Sequence, residues 1–183
     1  MDPMIIENFL SPTVQEEIER TLMGFEFPWH YYANTNAADA TTKSGDVPQF
    51  VHGFIQDGRV LSHFASLPQR IVAGLGLPPE AILRAKANLL ARDREPLVHP
   101  RHVDEPTPHL VMVYYVNDAD GYTCLYKAAE ISHRINPKRG RAVVFNGATY
   151  HASSSPVEAR FRCVVNLNLR HDVAPGVFAR FQV

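Results

Sequence analysis

From residue 81 onward the chain is a succession of short β-type runs, at 82–91, 109–116, 122–126, 141–146 and 161–169. Strong turn signals part them, among them Asn117-Asp118-Ala119-Asp120-Gly121 and Asn136-Pro137-Lys138-Arg139-Gly140. The first 80 residues read instead as helix and loop. Ser11 offers an N-cap, Pro12 sits in the first turn, and Val14, Ile18 and Leu22 recur at helical spacing. A second helical stretch carries Val60, Leu61, Phe64, Leu67, Ile71 and Leu75. Pro68 should kink or split it, and Gly74, Gly76 and the Pro78-Pro79 pair end it. Helices followed by many short strands predict helices packed on a β-sandwich or jelly roll. A chain of 183 residues fits one domain and buries about 70% of its unfolded surface, so its core does not depend on a metal.

Two runs have faces that carry information. In 161–169, Phe161, Cys163, Val165, Leu167 and Leu169 form an apolar face suited to a helix layer, while Arg162, Val164, Asn166 and Asn168 form a mixed face. That mixed face suits a polar pocket inside a roll. A buried arginine without a partner costs about 3–5 kcal/mol, so an anion or a carboxylate is implied beside it. Residues 82–90 alternate in the same way, with Arg84, Lys86 and Asn88 opposite Leu83, Ala85, Ala87 and Leu89; an edge strand with a solvated basic face is expected there, with a role toward the substrate as the alternative.

His102-Val103-Asp104 is followed 49 positions later by His151 and a further 11 later by Arg162. In an extended segment, side chains at i and i+2 point the same way, so His102 and Asp104 can reach one ion. Two imidazoles and a carboxylate can hold iron(II) on one face and leave the other face open for oxygen and a chelating co-substrate. His99 and His109 are nearby rivals. Pro96 and Pro100 deny His99 a helical context, and His109 opens a strand, where it would stand behind the ligands or on the substrate's side.

With these residues in place, the chain resembles the 2-oxoglutarate and iron(II)-dependent dioxygenases, in particular their compact prolyl-4-hydroxylase-like branch. The resemblance covers roughly residues 81–170 and is strongest in "HVDEPTPHLVMVYYVNDADGYTCLY", "INPKRGRAVVFNG" and "YHASSSPVEARFRCVVNLNL". It implies a mostly β chain with N-terminal helices: a double-stranded β-helix, or jelly roll, with helices packed on one sheet. Residues 1–80 would be helical support and loop, and 81–183 the jelly-roll core. It implies His102, Asp104 and His151 as iron ligands and Arg162 as the partner of the far carboxylate of 2-oxoglutarate, with Tyr115 and Asn166 beside the co-substrate. Arg160 competes with Arg162 for that role. Tyr114 and Tyr115 face opposite ways, so only one looks into the site, and an ordinary core position for Tyr115 stays open. Dioxygen would be the second co-substrate, and hydroxylation of a prolyl residue in a protein or peptide the reaction. A free amino acid, another small molecule or a nucleobase stays open as substrate.

Other classes explain these residues less well. A zinc hydrolase would need H-E-x-x-H or a general base at recognisable spacing, and neither occurs. No G-x-S-x-G is present. A cupin-like isomerase or binding module would share the roll and hold metal, but has no need of an arginine in this register. A net charge of −1 and a pI near 6.7 give no overall attraction to nucleic acid or an anionic membrane. Cys124 and Cys163 lack C-x-x-C spacing, and no secretory leader pattern or long apolar run is evident, so a cytoplasmic protein is expected. The polar, non-periodic segment 29–49 is read as a loop beside the mouth of the site. The sequence does not speak to oligomeric state.

Overall fold

The computed structural model describes residues 2–33 and 47–181; most of the expected loop at the mouth lies outside the described residues. The strands are Met4–Ile6 (β1), His30–Tyr32 (β2), Gln49–Gln56 (β3), Arg59–Val60 (β4), Ile82–Ala91 (β5) and His109–Tyr115 (β6). Thr123–Lys127 (β7), Glu130–Ile135 (β8), Ala142–Asn146 (β9), His151–Ser153 (β10) and Phe161–Arg170 (β11) follow. Helices are Pro12–Leu22 (α1), Ser66–Gly74 (α2) and Ala174–Phe181 (α3). The larger sheet runs β1-β9-β6-β11-β5-β3-β2, with β4 paired to β3, and the smaller runs β10-β7-β8. Every pairing is antiparallel.

Each sheet face has its own core. The alternation in β11 sends Cys163, Val165, Leu167 and Leu169 outward against Ile18 and Leu22 of α1, Ile71 and Val72 of α2, and Val177 and Phe178 of α3. Its other face joins Val111, Val113 and Tyr115 of β6 and Leu125 of β7 in a second core between the sheets. Two antiparallel sheets closed over an inner core, with helices on the outer face of one, make the expected jelly roll. Tyr115 therefore looks inward and Tyr114 toward the helices. Among the described residues no helix is long and apolar enough to cross a membrane.

Three expectations are corrected. The helix expected from Val60 starts only at Ser66, with Pro68 in its first turn rather than at a kink. Asp57 and Gly58, both at positive φ (52° and 71°), form a tight hairpin turn that pairs Val60 with Ile55. Ser62 then accepts a hydrogen bond from Phe64 N at 3.1 Å and starts a separate 3-10 turn. Second, the first 80 residues are not only support: β3 is a full partner in the large sheet. Third, β5 is no edge. It pairs with β11 on one side and β3 on the other, so its basic face looks into the roll.

Candidate metal and anion site

The metal group is assembled by a two-residue bridge. His102 and His151 exchange both backbone hydrogen bonds, each 2.9 Å, across a gap of 49 positions. This antiparallel pairing sets their rings 4.6 Å apart. Asp104, two residues on, puts Oδ1 3.8 Å from His102 Nε2 and Oδ2 3.8 Å from His151 Nε2. One ligand atom from each of the three lies within 4.8 Å of the others.

The tautomers follow from the outer nitrogens. His102 Nδ1 faces the Pro100 carbonyl at 3.3 Å and His151 Nδ1 the Thr149 carbonyl at 3.1 Å. A ring nitrogen against a carbonyl must carry the proton, so both Nε2 atoms turn lone pairs toward Asp104. His151 Nε2 is buried and has no hydrogen-bond partner. Burial pushes the His151 imidazole down to about 4 and lowers His102 as well, so both are neutral at physiological pH. For Asp104 burial works the other way, yet His151, Arg84, Lys86 and His102 hold its carboxyl well below the usual carboxylate range. Two neutral imidazole lone pairs and a carboxylate, one of them orphaned, fit a divalent cation, and the mixed nitrogen and oxygen set suits iron(II).

Asp104 is held from behind. Arg84 Nη2 reaches Oδ1 at 2.6 Å. The Asn168 amide, oriented to satisfy both neighbours, donates to Oδ2 at 3.0 Å and accepts from Arg84 Nη2 at 3.2 Å. Asn166 Nδ2 stands 3.5 Å from Oδ2, and Arg84 Nη1 also meets Glu105 at 3.3 Å. Sequence reasoning missed Arg84 because it placed β5 at an edge. The signal was present, since Arg84 and Lys86 repeat the inward alternation of β11.

Further along the same cavity lies a cation. Arg162 is 3% exposed, while Arg160 sits outside, exposed in the turn before β11. Arg162 Nε donates to Gly121 O at 2.9 Å and Nη2 to Thr123 Oγ1 at 2.8 Å. Tyr115 also donates to Thr123 Oγ1, at 2.7 Å. Thr123 therefore accepts twice and keeps its own proton for a third group. Among the described residues no carboxylate pairs with Arg162. Sequence reasoning missed Thr123, whose only sign was a polar residue at the head of an apolar run. His99 is not a ligand: its ring spans Ser153 Oγ at 2.9 Å and Ser155 Oγ at 3.0 Å. His109 is buried over Gly147 and stands outside the metal group. The cavity, about 500 Å³ including its open part, is lined by Lys86, His102, His151, Arg162, Asn166 and apolar Leu90, Val113 and Val164, among others.

No protein-family model matches the sequence, and no curated protein is similar to it in sequence. Solved structures are similar in fold. A 2OG-Fe(II) oxygenase-family oxidoreductase from Burkholderia pseudomallei superposes with a TM-score of 0.69 at 13% identity, over 92% of this chain and 85% of that one. The fold is that of the 2OG-Fe(II) oxygenases. A Trichoplax adhaerens prolyl hydroxylase, solved with a peptide fragment of the hypoxia inducible factor oxygen degradation domain, shares this oxygenase fold. It has a TM-score of 0.59 at 15% identity, over 93% of this chain and 84% of that one. The alpha-ketoglutarate-dependent epimerase SnoN from nogalamycin biosynthesis matches at 0.58 and 12%, over 91% and 75%.

Proposed function

We propose that this chain is an Fe(II)- and 2-oxoglutarate-dependent dioxygenase that hydroxylates an unactivated C–H bond, with a prolyl residue in a protein or peptide as its substrate. One observation carries the reading: a His102–Asp104–His151 group, half-buried at His102 and buried at His151 with an orphaned Nε2, lies beside a cavity that it shares with a buried arginine lacking a carboxylate partner among the described residues. His102, Asp104 and His151 would hold the iron. Arg162 and Thr123 offer charge-assisted and neutral hydrogen bonds to the far carboxylate of 2-oxoglutarate, and Tyr115 braces Thr123. Asn166 completes the polar wall on the metal side.

When iron(II), 2-oxoglutarate and O2 are bound, they supply the oxidation of C–H to C–OH, with succinate and CO2 as co-products. The chain's work is placement. The His102–His151 bridge fixes two ligands to the backbone, and Arg84 with Asn168 aims the third. Leu90, Val113 and Val164 line the cavity and limit water. Support for the prolyl substrate is the Trichoplax enzyme's peptide complex, whereas SnoN is named for epimerisation. Free, buried Cys124 and Cys163 suit a reducing cytoplasm, where we place the reaction.

The test is anaerobic titration of the metal-free protein with iron(II) and then 2-oxoglutarate, followed by the visible charge-transfer band of a chelated keto acid. Asp104→Ala should abolish the band. Arg162→Ala should weaken 2-oxoglutarate binding by about a hundredfold with iron retained, whereas Arg160→Ala should not. Fully loaded metal without a band would make the chain a cupin-like metal-binding protein.

A further inference from the structure

We propose that Lys86 anchors the primary substrate by binding a carboxylate that the substrate carries, in a groove that opens beside the metal group; the inference rests on the dioxygenase reading above. Lys86 lies on the inward face of β5, opposite Asn166 of β11 and Gly53 of β3. It is half-buried, and among the described residues its ammonium has no hydrogen-bond or ion-pair partner. Taking a cation from water without a counter-charge is costly, so a lysine kept in such a wall implies an anion that arrives.

The charges of the loaded site say which anion. Iron(II) would be balanced by Asp104 and by the co-substrate's chelating carboxylate, and Arg162 by its far carboxylate. Arg84, paired with both Asp104 and Glu105, is balanced by Glu105. Lys86 alone is left over, after the negative charges of Asp104, Glu105 and both co-substrate carboxylates are matched to the iron, Arg162 and Arg84.

The space around Lys86 fits the rest of a substrate. Lys86 and Gln49 wall both the metal cavity and an adjoining groove, whose other lining includes Tyr32, Val51, Gly53 and Leu61. Tyr32 and Leu61 are exposed apolar side chains on its rim. Gly53 keeps the floor opposite Lys86 open: a Cβ there would meet only Leu61, at 3.6 Å. A carboxylate on Lys86 therefore places the hydrocarbon part along this floor and the reacting C–H toward the metal. The carboxylate is either that of a free amino acid or an acidic side chain beside the reacting residue of a peptide.

The iron-loaded protein with 2-oxoglutarate is assayed for succinate release in the presence of free amino acids and short carboxylic acids, each against its own carboxamide. Capped Glu-Pro and Asp-Pro dipeptides are run against Gln-Pro and Asn-Pro. Acids should stimulate succinate release about tenfold more than their amides. Lys86→Met should erase that preference and Lys86→Arg keep part of it. The dissociation constant for 2-oxoglutarate, read from the anaerobic charge-transfer band, should change by less than about twofold in both. Stimulation by free acids alone supports a small-molecule substrate, and by acidic dipeptides alone a peptide. Equal stimulation by amides, or none by any acid, overturns the proposal, as does a Lys86→Met loss of 2-oxoglutarate affinity of about tenfold or more. A wild type without the band sinks the dioxygenase reading itself, and this inference with it.

Discussion

Asp104 is the proposed ligand whose geometry is most tightly determined, because both carboxylate oxygens are engaged by the protein itself. Arg84 holds one at 2.6 Å and Asn168 the other at 3.0 Å. A carboxylate aimed in this way loses little freedom on binding a cation, and partners behind a ligand are worth roughly 10–100-fold in metal affinity. Arg84→Met should therefore weaken iron(II) binding by about that factor, measured by anaerobic calorimetric titration. Unchanged or tighter binding would mean that Arg84 only competes with the metal for Oδ1. The i, i+2 spacing of His102 and Asp104 was legible because it is local. The role of Arg84 was not, because its partner is 20 positions away and meets it only across the closed roll.

At the scale of elements, the turn before β11 positions the Arg162 end of the cavity. Asp120 accepts hydrogen bonds from the backbone of Val157, Glu158 and Ala159, at 2.8, 3.0 and 2.9 Å. Its neighbour Gly121 presents the carbonyl that orients Arg162, and packs so close to Ser154 and Pro156 that no side chain fits. Asp120→Ala should cost about 1–3 kcal/mol in denaturant unfolding and weaken 2-oxoglutarate binding more than iron binding. An equal loss of both would make the turn a matter of general stability. Five strands were legible as short β-type runs between turn signals, two of them also from alternation, and all five formed. Two that were missed show why others were not. In β3, Gln49, His52 and Gly53 interrupt the apolar pattern because one face serves the groove and the other packs a histidine among aromatics. In β8, alternate residues are exposed on the border of the small sheet, so its strand signal is mostly polar.

For the molecule as a whole, the roll holds three buried or half-buried histidines, His52, His102 and His151, whose protonation burial opposes. Their folded pKa values lie below the ordinary 6.5, so the unfolded chain binds more protons as pH falls. The metal-free protein should keep the corresponding stability above that value and lose it progressively between about 6.5 and 4. Thermal melts at a series of pH values check this, and a melting temperature that rose on acidification would contradict it. On the proposed reading iron(II) binds the folded chain and not the unfolded one, so a concentration of about a hundred times its dissociation constant should add about 2.7 kcal/mol at neutral pH. The sequence by itself determined the β alternation, the local His102–Asp104 pair and the inward face of β11, since each depends on the period of an extended backbone. Only the tertiary structure decided that His151 bridges to His102, that Arg160 falls outside, before β11 begins, and that Arg84 and Lys86 face the site. Those outcomes depend on which distant strand pairs with which, and when β3 closes over β5, a face that local pattern reads as solvated becomes the wall of a cavity.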